Sequence, residues 1–134
     1  MSWTPNPGQE KYAAVTVPTG FVTDLASIPR IFWSLLRPDG EYAYGAIVHD
    51  YLYWEQSRPR EEADHILKLA MEDFEIDAPT VVAIYGAVSL SGQAAWNDNA
   101  EKKAQGEQRL LTRFPQDPRI RWADWKQRPG VFEP

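Results

Sequence analysis

The chain of 134 residues contains no cysteine, which excludes a disulfide scaffold and thiolate metal sites. It also lacks an apolar run approaching the ~20 residues that a membrane-spanning helix needs, and it has no block of like charges. The first residues show neither the positive region nor the apolar stretch of a signal peptide. We therefore expect no signal peptide and no transmembrane segment.

Basic residues are outnumbered, with 14 Lys and Arg against 19 Asp and Glu, so the net charge is −5. Non-specific nucleic-acid binding requires a basic face that displaces counterions, so we expect no nucleic-acid partner. What the chain does contain is 43% hydrophobic residues, 11 prolines and six tryptophans. This composition predicts a packed globular core with rigid connections and large aromatic contacts.

The patterning predicts a mainly α fold of the α+β class. A strand-like segment at 12–17, a turn at Pro18–Gly20 and a return strand at 21–23 indicate a small N-terminal β-hairpin. Helical spacing predicts about four helices. They begin near residues 29, 41, 59 and 77. We expect the helix at 41–55 and the one after it to pack as an antiparallel pair at the core.

Three regions follow from the composition along the chain. Residues 1–11 are expected to form an N-terminal arm, 12–105 the compact core domain, and 106–134 an extended C-terminal arm rich in proline and tryptophan. The sequence around Trp122 and Trp125 has no core periodicity. Both tryptophans are therefore candidate partner-binding residues.

The chemically suggestive residues surround a His49–Asp50 pair. His49 and Tyr53 share one helical face, and antiparallel packing would bring Asp64 of the next helix to the imidazole. A carboxylate on one ring nitrogen fixes the tautomer and makes the other nitrogen a general base. Tyr53 would orient Asp64, while Asp50, and Asp24 with it, would hold a divalent cation. Asp24 alternatively caps the helix that follows it.

Two further expectations concern neighbouring polar residues. Ser27 is a candidate N-cap for the helix that contains Pro29. Arg30 and Arg60 could clamp a phosphate or carboxylate ligand, but we expect each to form a structural salt bridge with Asp24 or Asp64.

The His–Asp region resembles the core of the calcium-dependent secreted phospholipases of the A-two class, especially the bacterial ones. The matching pattern is His49-Asp50-x-x-Tyr53, Arg60-x-x-x-Asp64 and Met71. The resemblance implies that His49 activates water, Asp50 binds calcium, and Tyr53 and Asp64 steady the histidine. The cysteines and the glycine-rich calcium loop of that class are absent.

A longer stretch, from residue 12 to about 96, is similar to family 1353 of the domains of unknown function, found in tailed phages and prophages. The motifs are Val17-Pro18-x-Gly20-Phe21-x-Thr23-Asp24-Leu25-Ala26-Ser27-Ile28-Pro29-Arg30, His49-Asp50-Tyr51-Leu52-Tyr53 and Arg60-x-x-x-Asp64. This resemblance implies a phage-encoded accessory protein. Such a protein is expected to be made in the host cytoplasm. If it has a structural role, it is expected to be incorporated into the virion.

Two hypotheses remain open. In the first, His49, Asp64 and Tyr53 form the catalytic group of a metal-dependent esterase or lipase, with calcium or another divalent cation, that acts on cell-envelope components. In the second, the same residues are a structural polar network in a non-catalytic virion or tail-assembly protein, whose arms bind other phage structural proteins. An enzyme should present His49 at the floor of a solvent-reachable pocket, with one ring nitrogen unpaired or facing water or metal. A structural network should bond both nitrogens and leave no cavity.

Overall fold

The computed structural model describes residues 1–25, 27–35 and 41–133. Two short strands, β1 (Ser2–Trp3) and β2 (Val15–Thr16), precede a 3₁₀ helix at Arg30–Leu35. The helices are α1 (Glu41–Glu55), α2 (Arg60–Asp73), α3 (Ala78–Ala104) and the single turn α4 (Trp122–Trp125). The predicted fold class, mainly α with a small antiparallel β element near the N-terminus, is confirmed.

The strand pairing differs from the predicted hairpin. β2 pairs with β1, placing Val15 opposite Trp3, and the predicted return strand at 21–23 is not its partner. The amide of Phe21 bonds back to the carbonyl of Pro18, and this turn directs Phe21 to a bridge with Leu110. Gly20 permits the approach, because its φ is +97° and a Cβ there would collide with the Leu111 backbone.

The N-terminal residues contribute directly to the core. Trp3 is 1% exposed and packs in a cluster with side chains from β2, α1 and α2. It fills the position beside β2 that the hairpin prediction gave to residues 21–23. The segment expected to be an arm therefore supplies one of the largest buried side chains.

Helices α1 and α2 form the antiparallel pair expected from their spacing. Gly45 lies against Leu67 and Ala70, while Tyr53 at the other end of α1 reaches Asp64. The apolar residues of α2 that recur at helical spacing are buried. They are Ala63, Ile66, Leu67, Ala70 and Met71.

Helix α3 packs across this pair and begins at a side-chain cap. The Asp77 carboxylate accepts a bond of 3.0 Å from the Thr80 amide, and a proline occupies the first turn. No helix in the described ranges is both long and apolar enough to cross a membrane.

The C-terminal segment is mostly non-helical, as predicted, but it folds back onto the core. Leu110 bridges to Phe21 and Leu111 bridges to Phe132, while Arg109 and Val131 are buried. One helical turn, α4, interrupts it, where no further helix was expected. The division of the chain at residues 11 and 105 stays a prediction.

Candidate functional site

The α1–α2 pair brings together the four residues of the predicted constellation. His49, Asp50 and Tyr53 are 0% exposed and Asp64 is 2% exposed. Nε2 of His49 lies 2.8 Å from Oδ1 of Asp64, and the Tyr53 hydroxyl donates to the same oxygen over 2.7 Å. These two contacts confirm the geometry that the spacing predicted.

The second oxygen of Asp64 has a charged partner. Nη1 of Arg60 donates to Oδ2 over 3.1 Å, which confirms the salt bridge expected for Arg60. The guanidinium of Arg30 lies 5.0 Å from the centroid of the Trp33 ring, and the salt bridge expected for it stays a prediction. Asp64 therefore bonds to an imidazole, a phenol and a guanidinium, and the positive charge of Arg60 balances its carboxylate.

The packing leaves no room beside this carboxylate. A Cβ on Gly92 of α3 would lie 2.2 Å from the Tyr53 hydroxyl and 3.0 Å from Nη1 of Arg60. Burial raises the pKa of Tyr53 well above its ordinary value, so the phenol keeps its proton and donates it to Asp64. Gly92 therefore lets α3 pack directly against the Tyr53 hydroxyl and the Arg60 guanidinium.

The other nitrogen of His49 contacts a residue that the sequence placed elsewhere. Nδ1 lies 3.1 Å from Oγ of Ser27, which also lies 3.2 Å from Oδ1 of Asp50. Ser27 was predicted to cap a helix; instead its hydroxyl is buried between the two α1 side chains. No local spacing distinguishes a capping serine from one that contacts a residue 22 positions later.

Asp50 is held by hydroxyl groups. Thr23 donates to Oδ2 over 2.5 Å while Ser27 contacts Oδ1. Burial is the main cause that raises the pKa of Asp50 above its ordinary value, and the bond from Thr23 opposes the shift. The neutral acid is thus favoured more strongly at this position than on a protein surface.

The predicted cation position is occupied by a guanidinium. Arg109 Nη2 lies 3.0 Å from Asp24, Nη1 lies 4.0 Å from Asp50, and Nε lies 2.9 Å from Glu107. The guanidinium also stacks on the Trp54 ring at 4.3 Å. Arg109 was missed because it lies in the segment expected to be an extended arm.

This arrangement does not fit a divalent cation held by Asp24 and Asp50, because Arg109 already supplies the positive charge between them. In the part of the chain that the structure describes, no group of three or more carboxylate or imidazole side chains is placed to hold a metal ion. Nη1 of Arg109 is itself one of two buried side-chain atoms without a hydrogen-bond partner among the described residues.

The two predicted partner-binding tryptophans lie apart from His49. Trp122 is 43% exposed and borders a cavity of about 380 Å³ that Asp24, Arg109 and Phe132 also line. The indole nitrogen of Trp125 donates to the Arg113 carbonyl over 3.0 Å, so that ring is anchored within the C-terminal segment. Arg109 connects this cavity to Asp50.

His49 is fully buried and both of its ring nitrogens are bonded, as the structural hypothesis predicted. The partner of Nδ1, however, is a serine hydroxyl rather than an inert backbone group. A hydroxyl on one nitrogen and a carboxylate on the other is also the order of groups in a nucleophile, base and orienting acid. The arrangement can therefore move a proton from Ser27 to His49, with Asp64 stabilising the imidazolium.

Comparisons with known proteins place the chain in a family without assigning it an activity. An uncharacterised protein, y4jT, of Sinorhizobium fredii (strain NBRC 101917 / NGR234) is 32% identical over 78 residues, which cover 57% of this chain and 23% of that protein. The chain thus matches about a quarter of the length of this curated relative. No solved structure matches it.

A family model covers residues 6–88, which include β2, α1 and α2. His49 and its neighbours Ser27, Asp50, Tyr53, Arg60 and Asp64 lie within this range, whereas Glu107 and Arg109 lie outside it. The chain belongs to the family described as protein of unknown function (DUF1353).

Proposed function

We propose that this chain is an ester hydrolase in which His49 acts as the general base. One observation carries the proposal: the imidazole lies between a hydroxyl at 3.1 Å on Nδ1 and a carboxylate at 2.8 Å on Nε2. Asp64 fixes the tautomer with the proton on Nε2, which leaves Nδ1 as the basic nitrogen. Tyr53 and Arg60 hold Asp64 in place.

The substrate class is proposed from the two resemblances. The His49, Tyr53 and Asp64 pattern resembles the secreted phospholipases, which supports a lipid or other cell-envelope ester. The long motif at 17–30 is similar to phage and prophage sequences, which supports a phage-encoded accessory protein made in the host cytoplasm. The guanidinium of Arg109 lies where the metal-dependent hypothesis placed a cation, between Asp24 and Asp50. The proposed hydrolysis therefore uses side chains of the protein and no metal ion.

A second candidate is the non-catalytic virion or tail-assembly component. It is favoured by the complete burial of His49 and by the hydrogen bonds and ion pairs that connect Thr23, Ser27 and Arg109 to α1. A fully bonded buried network of this kind fixes helix register. In this version the exposed Trp122 would contact other phage structural proteins.

The test measures hydrolysis of p-nitrophenyl esters of increasing acyl length and of phosphatidylglycerol vesicles. We expect turnover by the wild type and a loss of roughly 10²–10⁴-fold in His49→Gln. His65→Gln is the matched control, because His65 is exposed on α2 and its ring contacts none of the residues bonded to His49. Equal rates in wild type and His49→Gln, or no turnover of any ester by the wild type, would overturn the hydrolase and favour the structural role.

A further inference from the structure

The hydroxyl of Ser27 lies beside His49, the proposed general base, where a nucleophile could lose its proton to the imidazole. Its Oγ is within hydrogen-bond distance of His49 Nδ1, the basic nitrogen of the proposed hydrolase, and the residue is 3% exposed. We propose that Ser27 is the nucleophile of this site and that ester hydrolysis proceeds through an acyl-Ser27 intermediate. The inference rests on the proposed function and replaces a His49-activated water in its first step.

The local contacts restrict where the serine proton can go. Ser27 has one hydroxyl proton and two neighbouring acceptors, Nδ1 of His49 at 3.1 Å and Oδ1 of Asp50 at 3.2 Å. Nε2 of His49 already faces the Asp64 carboxylate, so a neutral His49 presents a lone pair at Nδ1. In the structure the Ser27 hydroxyl donates to Oδ1 of Asp50, so activation of Oγ requires its proton to turn towards the lone pair of His49 Nδ1.

The chemical steps balance with these groups alone. Oγ of Ser27 bonds to the ester carbonyl carbon while its proton passes to Nδ1 of His49, and the Asp64 carboxylate stabilises the imidazolium. The bond from the carbonyl carbon to the alcohol oxygen then breaks, and the proton on Nδ1 passes to the departing alcohol.

Water completes the reaction by the same path. It bonds to the acyl carbon and gives one proton to Nδ1; the bond from that carbon to Oγ breaks, and Ser27 regains the proton. The sum is ester plus water giving carboxylic acid plus alcohol. No metal ion or redox partner enters the balance.

The experiment uses a fluorophosphonate probe on the full chain, followed by intact mass and peptide mapping. Ser27 should displace fluoride and give a single adduct on the peptide that contains it. Labelling should disappear in Ser27→Ala and fall by about 100-fold in His49→Gln. Ser91→Ala is the matched control, since the Ser91 hydroxyl only bonds the Ala87 carbonyl on the exposed face of α3, and it should label like the wild type.

Ester hydrolysis measured on the same samples separates the two proposals. If hydrolysis requires His49 but is unchanged in Ser27→Ala, and the wild type forms no adduct, Ser27 is not the nucleophile. The proposal of an ester hydrolase with His49 as general base would still hold. Absence of both hydrolysis and adduct in the wild type would overturn both.

A second variant covers the case in which Ser27→Ala fails to fold. Because the chain has no cysteine, Ser27→Cys introduces its only thiol. If His49 activates this position, iodoacetamide should alkylate the thiol at pH 7 roughly 10-fold or more faster than in Ser27→Cys combined with His49→Gln. Equal alkylation rates in the folded proteins would overturn the nucleophile.

Discussion

The two histidines of the chain occupy opposite surroundings although both lie on helices of the same antiparallel pair. His49 on α1 is fully buried between a serine hydroxyl and a carboxylate. His65 on α2 is exposed, and its ring nitrogens contact the Glu61 carbonyl at 2.9 Å and the Tyr85 hydroxyl at 3.1 Å. Each ring has two polar contacts, so the number of hydrogen bonds does not distinguish them.

The difference lies in what each ring connects. His65 bonds within its own helix and to α3, where solvent can replace either partner. His49 joins the loop before the 3₁₀ helix to α2, and its partners are themselves bonded to Asp50, Tyr53 and Arg60. Losing His49 thus leaves several buried groups unpaired, a cost that an exposed ring does not carry.

The largest expected effect is therefore that of His49→Ala compared with His65→Ala. We expect the first to lower the free energy of unfolding by about 3 kcal/mol, through a cavity and unpaired buried groups. The second should change it by no more than about 0.5 kcal/mol. Urea unfolding followed by circular dichroism measures both. Similar losses in the two variants would show that the buried hydrogen bonds of His49 stabilise the fold no more than the exposed ones of His65.

Asp64→Asn tests the charge balance beneath His49. The amide has one acceptor oxygen where the carboxylate has two, so its N–H groups would face either the Arg60 guanidinium or the donors of His49 and Tyr53. The negative charge that balances Arg60 is lost as well. We expect a loss of about 2 kcal/mol. The control is Asp98→Asn, because Asp98 forms the exposed i,i+4 pair with Lys102 and should cost at most about 0.5 kcal/mol. Thermal and urea unfolding measure the loss of stability in both variants. Equal losses would show that the Arg60–Asp64 pair is worth no more than the exposed Lys102–Asp98 pair.

Sequence reasoning succeeded where contacts are local and failed where they are not. The helices, and the helical face that His49 and Tyr53 share, follow from apolar periodicity and i,i+4 spacing, which depend on near neighbours. Asp64 reaches that face because a short connection makes the two helices antiparallel neighbours. Ser27 and Arg109 reach α1 through loops, and β1 is two residues long, too short for a period. Arg109 was hidden further by its place among prolines and tryptophans, where no core pattern is visible.

Two glycines on α3 allow the packing around Tyr53 to be compared with a part of the same helix where nothing packs closely. A Cβ on Gly92 collides with the Tyr53 hydroxyl, whereas a Cβ on Gly86 meets nothing within 4 Å. We expect Gly92→Ala to destabilise the fold by about 1.5 kcal/mol through overpacking. Gly86→Ala should stabilise it by about 1 kcal/mol, because alanine favours the helix. Calorimetric melting checks the opposite signs, and a gain in both variants would mean that Tyr53 is not held in place.

The smallest expected effect is a pH dependence that differs between a buried and an exposed carboxyl. The pKa of Asp50 is raised mainly by burial, so the stability it contributes is complete below its unfolded pKa and is lost as pH rises through its folded pKa. The pKa of Asp77 is lowered mainly by the bond from the Thr80 hydroxyl, so its contribution is present above its unfolded pKa and is lost as pH falls through its folded pKa.

Asp50→Asn and Asp77→Asn remove these two titrations one at a time. The stability advantage of the wild type over Asp50→Asn should shrink as pH rises from 4 to 8, because the folded protein resists ionisation at that position. Its advantage over Asp77→Asn should shrink as pH falls below 4, since the cap then becomes protonated. Urea midpoints across the pH range measure both slopes. Slopes of the same sign would mean that the Asp50 carboxyl is solvated like the exposed carboxyl of Asp77.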